Sequence, residues 1–148
     1  MKTLVTYQSK TGFTKKYAEW ISQEISCEIK SINEVKEQDV AAYDLIIHGG
    51  WIMGNMISGL NKVRNMNPKN LVVFSAGLAK KGQYDAVIAE TNKLGDIPFF
   101  YMEGGTDPKK MGFFSRLAVK IASKQPVTFI DNTDKKYAME LVEYVKKM

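Results

Sequence analysis

Cysteine and histidine are nearly missing from this 148-residue chain: each occurs once, as Cys27 and His48. A lone cysteine excludes an internal disulfide framework and points to a reducing compartment. The two residues lie far apart in sequence, so no ligand set with metal-site spacing can be assembled. Long apolar runs are missing too, and no stretch approaches the roughly 20 residues of a membrane-spanning helix. Polar residues break the first apolar run too soon for a secretory leader, and a cytoplasmic location is expected. Repeats, low-complexity tracts and linker-like stretches are absent. At 45% hydrophobic and 25% charged residues, the chain reads as one globular domain, residues 1–148.

Acidic residues are missing from one segment. Between Pro108 and Ile130 lie Lys109, Lys110, Arg116, Lys120 and Lys124, with no Asp or Glu. Those five cations equal the net charge of +5, so the rest of the chain is neutral on count. The segment holds no recognisable nucleic-acid module, and no nucleic-acid partner is expected. No catalytic acid or base stands out, since a lone strand-end histidine such as His48 reads more readily as structural than as redox-active.

What is present is a regular alternation. Apolar runs at residues 2–7, 28–32, 44–48, 70–75 and 97–102 lack polar alternation and read as buried strands. Between them come helical patterns: Phe13, Tyr17, Trp20, Ile21 and Ile25; Met56, Leu60 and Val63; Tyr84, Val87, Ile88, Thr91 and Leu94. A short helical turn is expected near residues 39–43. A final helix carries Tyr137, Ala138, Leu141, Val142 and Val145, with Thr133 or Asp134 as its cap. Strands separated by helices imply an α/β three-layer sandwich, its five-stranded parallel sheet in the order 2-1-3-4-5. Ligands of such sheets sit beyond the carboxyl ends of the strands. Small residues gather there, at Gly12, Gly49-Gly50, Gly54, Ser75-Ala76-Gly77, Gly82 and Gly104-Gly105.

The turn Ser9-Lys10-Thr11-Gly12-Phe13-Thr14 packs three hydroxyls and a glycine between the first strand and the first helix. A helix N-terminus offers unpaired N–H groups and a positive dipole end, so such a turn suits a phosphate monoester. The plainer reading is an ordinary turn capped by Thr11 or Thr14. Walker and dinucleotide spacings are both absent. The turn resembles the (S/T)-x-T-G-x-T phosphate loop of flavodoxin-like proteins, and that resemblance implies FMN as cofactor.

The segment Gly50-Trp51-Ile52-Met53-Gly54-Asn55 is the second candidate binding element. Trp51 and Met53 offer flat or polarizable surface for an isoalloxazine ring, or they plug the cleft edge. Met53-Gly54-Asn55 resembles the Met-Gly-Asp turn of short clostridial-type flavodoxins, which implies a peptide after the glycine that can turn over at the flavin N5. Asn55 replaces the acid of that turn, and Glu103 is the one acid expected near the ring. The resemblance further implies that Ser75, Ala76 and Gly77 present backbone N–H groups to the flavin pyrimidine. Tyr84 either stacks on the ring or, the reading its helix position favours, belongs to the core.

Residues 111–124 read as an additional basic amphipathic helix after the fifth strand, with Phe113, Phe114, Leu117 and Ile121 on one face. The stretch Gly104-Gly105-Thr106-Asp107-Pro108 followed by Phe113-Phe114-Ser115-Arg116-Leu117, and the loop from Ser75 to Gly82, resemble a particular flavodoxin-domain group. That group includes the menaquinone-dependent protoporphyrinogen dehydrogenases. Pro108 stands where the group often has an aromatic residue. The resemblance implies an FMN-dependent oxidoreductase passing electrons to a quinone, with a soluble electron carrier as the alternative. Lys109, Lys110, Phe113, Phe114, Arg116, Lys120 and Lys124 could make weak contact with an anionic membrane surface, placing the protein at the inner face of the membrane. The helix could equally pack on the sheet with its lysines in water, or dock an acidic redox partner protein.

Overall fold

The computed structural model describes residues 1–112, 117, 120–121 and 128–148. Five parallel strands form the main sheet: β1 (Thr3–Gln8), β2 (Glu28–Ser31), β3 (Leu45–Met53), β5 (Leu71–Gly77) and β6 (Phe99–Glu103). Their order is β2-β1-β3-β5-β6, the predicted one, since β4 (Met56–Ile57) is a short antiparallel strand folded back on the end of β3. The helices are α1 (Phe13–Ile25), α2 (Glu37–Ala41), α3 (Leu60–Asn65), α4 (Asp85–Thr91) and α5 (Lys135–Lys146). A two-stranded ribbon, β7 (Gly105–Thr106) with β8 (Ile130–Asp131), lies off the sheet.

Strand alternation divides the core in two, because successive side chains point to opposite faces. Val5, Leu45, Ile47, Val72, Phe74 and Met102 face the layer of α1 and α5, meeting Tyr17, Ala18, Ile21, Leu141 and Val142. Leu4 and Ile46 face the other way, onto Ile32, Val40 and Val63. Val73 and Tyr101 share that second face with Ile57, Leu60 and Ile88. Apolar residues on both faces of each central strand explain why the runs show no polar alternation. Cys27 is partly buried against the first layer, and that burial pushes its thiol up to about 11.

The caps follow local chemistry. Asp134 caps α5, its carboxylate accepting from Lys136 N–H at 2.9 Å. Ser26 ends α1 in the left-handed region. The chain leaves the sheet at Gly104, whose N–H donates to the Gly77 carbonyl at 2.7 Å, and returns where Asn132 N–H reaches the Gly104 carbonyl at 2.9 Å. Of the expected helix at 111–124, Leu117, Lys120 and Ile121 are helical and exposed. Leu117 and Ile121 are thus not packed on the sheet. Phe113, Phe114, Arg116 and Lys124 lie outside the described residues. Among the described residues no helix is long and apolar enough to cross a membrane.

Candidate functional site

A cleft opens at the carboxyl ends of β1, β3, β5 and β6, where α1 begins. Ser9 organises the turn leading into α1. Its hydroxyl accepts from Gly12 N–H at 3.1 Å and from Lys15 N–H at 3.3 Å. Gly12 is the residue before the helix, and its carbonyl accepts the first helical bond, from Lys16 N–H at 3.0 Å. Neither Thr11 nor Thr14 caps the helix by its side chain. Ser9, rather than Thr11 or Thr14, takes a first-turn amide, and the N–H groups of Phe13 and Thr14 have no intrahelical acceptor. No acidic side chain occupies that first turn.

The second wall differs from the expected loop. β3 runs on through Gly49 and Gly50 to Met53, then turns back through Gly54 and Asn55 into β4. Both turn residues have positive φ, 56° and 62°, the signature of a type I′ hairpin. Gly50 faces away from the cleft, because the returning chain passes close by: a Cβ there would sit 2.1 Å from the Ser58 carbonyl oxygen. Packing accounts for that glycine, and the cleft lining does not include it. Ser58 secures the hairpin base, its hydroxyl accepting from Trp51 N–H at 2.9 Å and its own N–H reaching the Trp51 carbonyl at 3.0 Å. Asn92 secures the tip, donating to the Asn55 carbonyl at 2.7 Å and accepting from Ile57 N–H at 3.0 Å.

His48 lies below this wall, fully buried. Its Nε2 is 2.9 Å from the Ser58 carbonyl, which can only accept, so Nε2 carries the proton. Nδ1 then accepts from the Thr6 hydroxyl at 2.9 Å. Burial pushes the imidazole down to about 4. It is a neutral brace between β1, β3 and the Ser58 turn.

The third wall is Ala76, Gly77, Leu78 and Ala79. Tyr101 holds it, its hydroxyl donating to the Ala79 carbonyl at 2.7 Å. Ser75 is buried inside β5, and its hydroxyl has no partner. It does not line the cleft, whereas Ala76 and Gly77 of the same expected donor set do. Tyr84 is 45% exposed at the start of α4 and lines the cleft, so the core reading is wrong for it.

The cleft has a volume of about 510 Å³, within the range of small-molecule sites. Lys10, Thr11, Phe13 and Thr14 line one end; Trp51, Ile52, Met53, Gly54 and Asn55 line the other. Ser9 and Gly12 belong to the same turn without lining the cleft. Among the described residues no carboxylate lines it. Glu103, expected near the ring, instead receives the Tyr137 hydroxyl, which holds its carboxyl below the usual range. The sequence reasoning missed Thr106 and Met111, which enter the cleft from beyond β6. Among the described residues no cluster of His, Cys, Asp and Glu could hold a metal ion.

Residues 4–129 match the family model of the flavodoxin domain. The chain is 37% identical to the flavodoxin-like domain-containing protein BilS of Clostridioides difficile, across 61% of this chain and 55% of that protein. The chain thus spans about half the length of that curated relative. Oxidised flavodoxin 1 of Bacillus cereus superposes with a TM-score of 0.57 at 17% identity, covering 100% of this chain and 99% of that one. An archaeal flavodoxin gives a TM-score of 0.51 at 22% identity, covering 84% and 98% respectively. At such identities these likenesses speak for the fold.

Proposed function

The chain belongs to the flavodoxin domain family and its cofactor is FMN, and from that premise we propose an FMN-dependent oxidoreductase of the protoporphyrinogen dehydrogenase type, delivering electrons to a quinone. The residues present fit the cofactor. The turn from Ser9 to Thr14 offers hydroxyls and unpaired helix amides to the phosphate. Trp51 and Met53 offer surface to one side of the ring, while the backbone of Ala76 and Gly77 offers donors to its polar edge. When bound, FMN supplies the electron and hydride chemistry, and the protein supplies orientation and electrostatics.

The observation that carries the reading is the character of the cleft mouth. Met53, Leu78 and Tyr84 are 57%, 46% and 45% exposed there, with no carboxylate beside them among the described residues. A mouth of this kind favours an apolar substrate over a highly charged one. The basic residues of the 108–130 segment support work near an anionic membrane surface, where a lipid-dissolved quinone resides.

The test is anaerobic turnover of a porphyrinogen with a menaquinone analogue, using FMN-loaded protein. Oxidation of the porphyrinogen with matching quinone reduction supports the reading. A flavin-bearing protein that exchanges electrons with proteins but turns over neither compound would be a soluble carrier instead.

A further inference from the structure

The chain's excursion beyond β6 does more than leave the sheet. After Glu103 it forms the β7–β8 ribbon, whose foot rests on the start of α1: a Cβ on Gly105 would lie 2.9 Å from the Phe13 ring. Thr106 is nearly buried, and its hydroxyl donates to the Thr128 carbonyl at 2.7 Å. Immediately beyond, Asp107 closes a tight turn. Its side chain accepts from Lys109 N–H at 3.1 Å, and its carbonyl accepts from Lys110 N–H at 3.0 Å. The turn carries the Lys110 side chain to the Ser9–Thr14 turn. Lys110 Nζ stands 3.6 Å from the point where a Cβ of Gly12 would be, and no other atom outside the local chain comes within 4 Å of that point. Met111 lines the cleft beside it.

We infer that Lys110 is a phosphate-recognition residue, its ammonium closing the Ser9–Thr14 turn from above and selecting a phosphorylated flavin over one without phosphate. The inference rests on the FMN reading and deepens it. Glycine at position 12 leaves the turn open on the side that the ammonium approaches. The turn already contributes amides and hydroxyls, which are neutral donors, and Lys10 lines the same end. A dianionic ester carries two charges, and beside Lys10 a second ammonium on a flexible stem can meet it as a point charge. The ribbon rooted by Thr106 and the Asp107 turn hold the lysine backbone in place, lowering the ordering cost of that contact. Part of the basic surplus of residues 108–130 is thereby assigned to the cofactor rather than to a membrane or partner.

The experiment is a fluorescence titration of flavin-free full-length protein with FMN and, separately, with riboflavin, repeated across a salt series. Lys110→Gln should weaken FMN binding about tenfold, the loss of one charge-assisted contact, while leaving riboflavin affinity unchanged and flattening the salt dependence. Lys110→Arg should retain most of the FMN affinity, and Lys109→Gln should match the unsubstituted protein. Equal FMN affinity in Lys110→Gln and the unsubstituted protein would overturn the inference while leaving the FMN reading intact. So would an equal loss for both flavins, or a Lys109→Gln loss as large as that of Lys110→Gln. Failure of the unsubstituted protein to bind either flavin would sink both readings together.

Discussion

The Asn92 side chain donates to the Asn55 carbonyl at 2.7 Å, fastening the tip of the β3–β4 hairpin to the end of α4. The same amide donates to the Ile88 carbonyl at 2.8 Å and accepts from Ile57 N–H at 3.0 Å. Arg64 extends the brace, donating to the Asn92 and Lys93 carbonyls at 2.6 and 2.8 Å. The peptide between Gly54 and Asn55 lies outside these anchors. Register and tip position are thus set by Asn92, and none of these contacts holds the Gly54–Asn55 peptide itself.

Asn92→Ala leaves the buried Ile57 N–H without its acceptor and frees the tip. We expect a loss of about 2–3 kcal/mol in urea unfolding, together with weaker FMN binding. An unchanged urea midpoint would show that the hairpin is held by other means.

The glycines of the hairpin separate packing from conformation. Gly50→Ala drives a Cβ to 2.1 Å from a backbone oxygen, so a loss of ~3 kcal/mol or outright failure to fold is expected. A Cβ on Gly54 meets nothing within 4 Å, and the expected cost is the left-handed backbone alone, about 1 kcal/mol. Thermal or urea unfolding of the two variants side by side gives the comparison, and equal losses would contradict it.

Neutral, buried His48 makes stability sensitive to mild acid. Above pH about 6.5 the imidazole is uncharged in both folded and unfolded chains and contributes no pH dependence. As pH falls from there towards about 4, the unfolded chain takes up a proton that the folded one refuses, so stability declines. The full decline is roughly 3 kcal/mol. In His48→Gln that contribution is gone, so the stability gap between the two proteins should narrow as pH drops through this window. A constant gap from pH 7 to pH 4.5 would mean that His48 titrates normally.

Charge near the ring sets how readily FMN accepts negative charge. No described carboxylate lines the cleft, so the hydroquinone couple should lie at a less negative potential than in an acidic flavodoxin. Asn55→Asp places a carboxylate on a turn residue whose positive φ aspartate tolerates. The flavin potential should move downward, with a smaller shift at high salt. Spectroelectrochemical titration reads it, and no shift would remove the hairpin tip from the neighbourhood of the ring.

The strands, their helices and the hydroxyl-rich turn into α1 were legible because each is a local pattern. Leu4 and Val5, or Val72 and Val73, alternate faces by strand geometry alone, and Phe13, Tyr17 and Ile21 fall on one helical face. Turn chemistry is equally local, since Ser9 meets amides three and six residues away. Reading β3 as ending at His48 was mistaken for a physical reason: Gly49 and Gly50 resemble a loop, yet they keep the strand narrow where Phe74 and Ser58 press against it. Asn92 carried no usable signal, as an asparagine after a helix reads as an ordinary end.

The sequence by itself therefore determined the layers, the strand order and the place of the cleft, through periodicities that each segment carries within itself. Only the tertiary structure decided that Asn92 grips Asn55, that His48 sits neutral between Thr6 and Ser58, and that Lys110 hangs over Gly12. Those pairings join segments that are apart in the sequence. Their geometry comes from sheet register and from where the excursion re-enters the fold, and no local pattern encodes either.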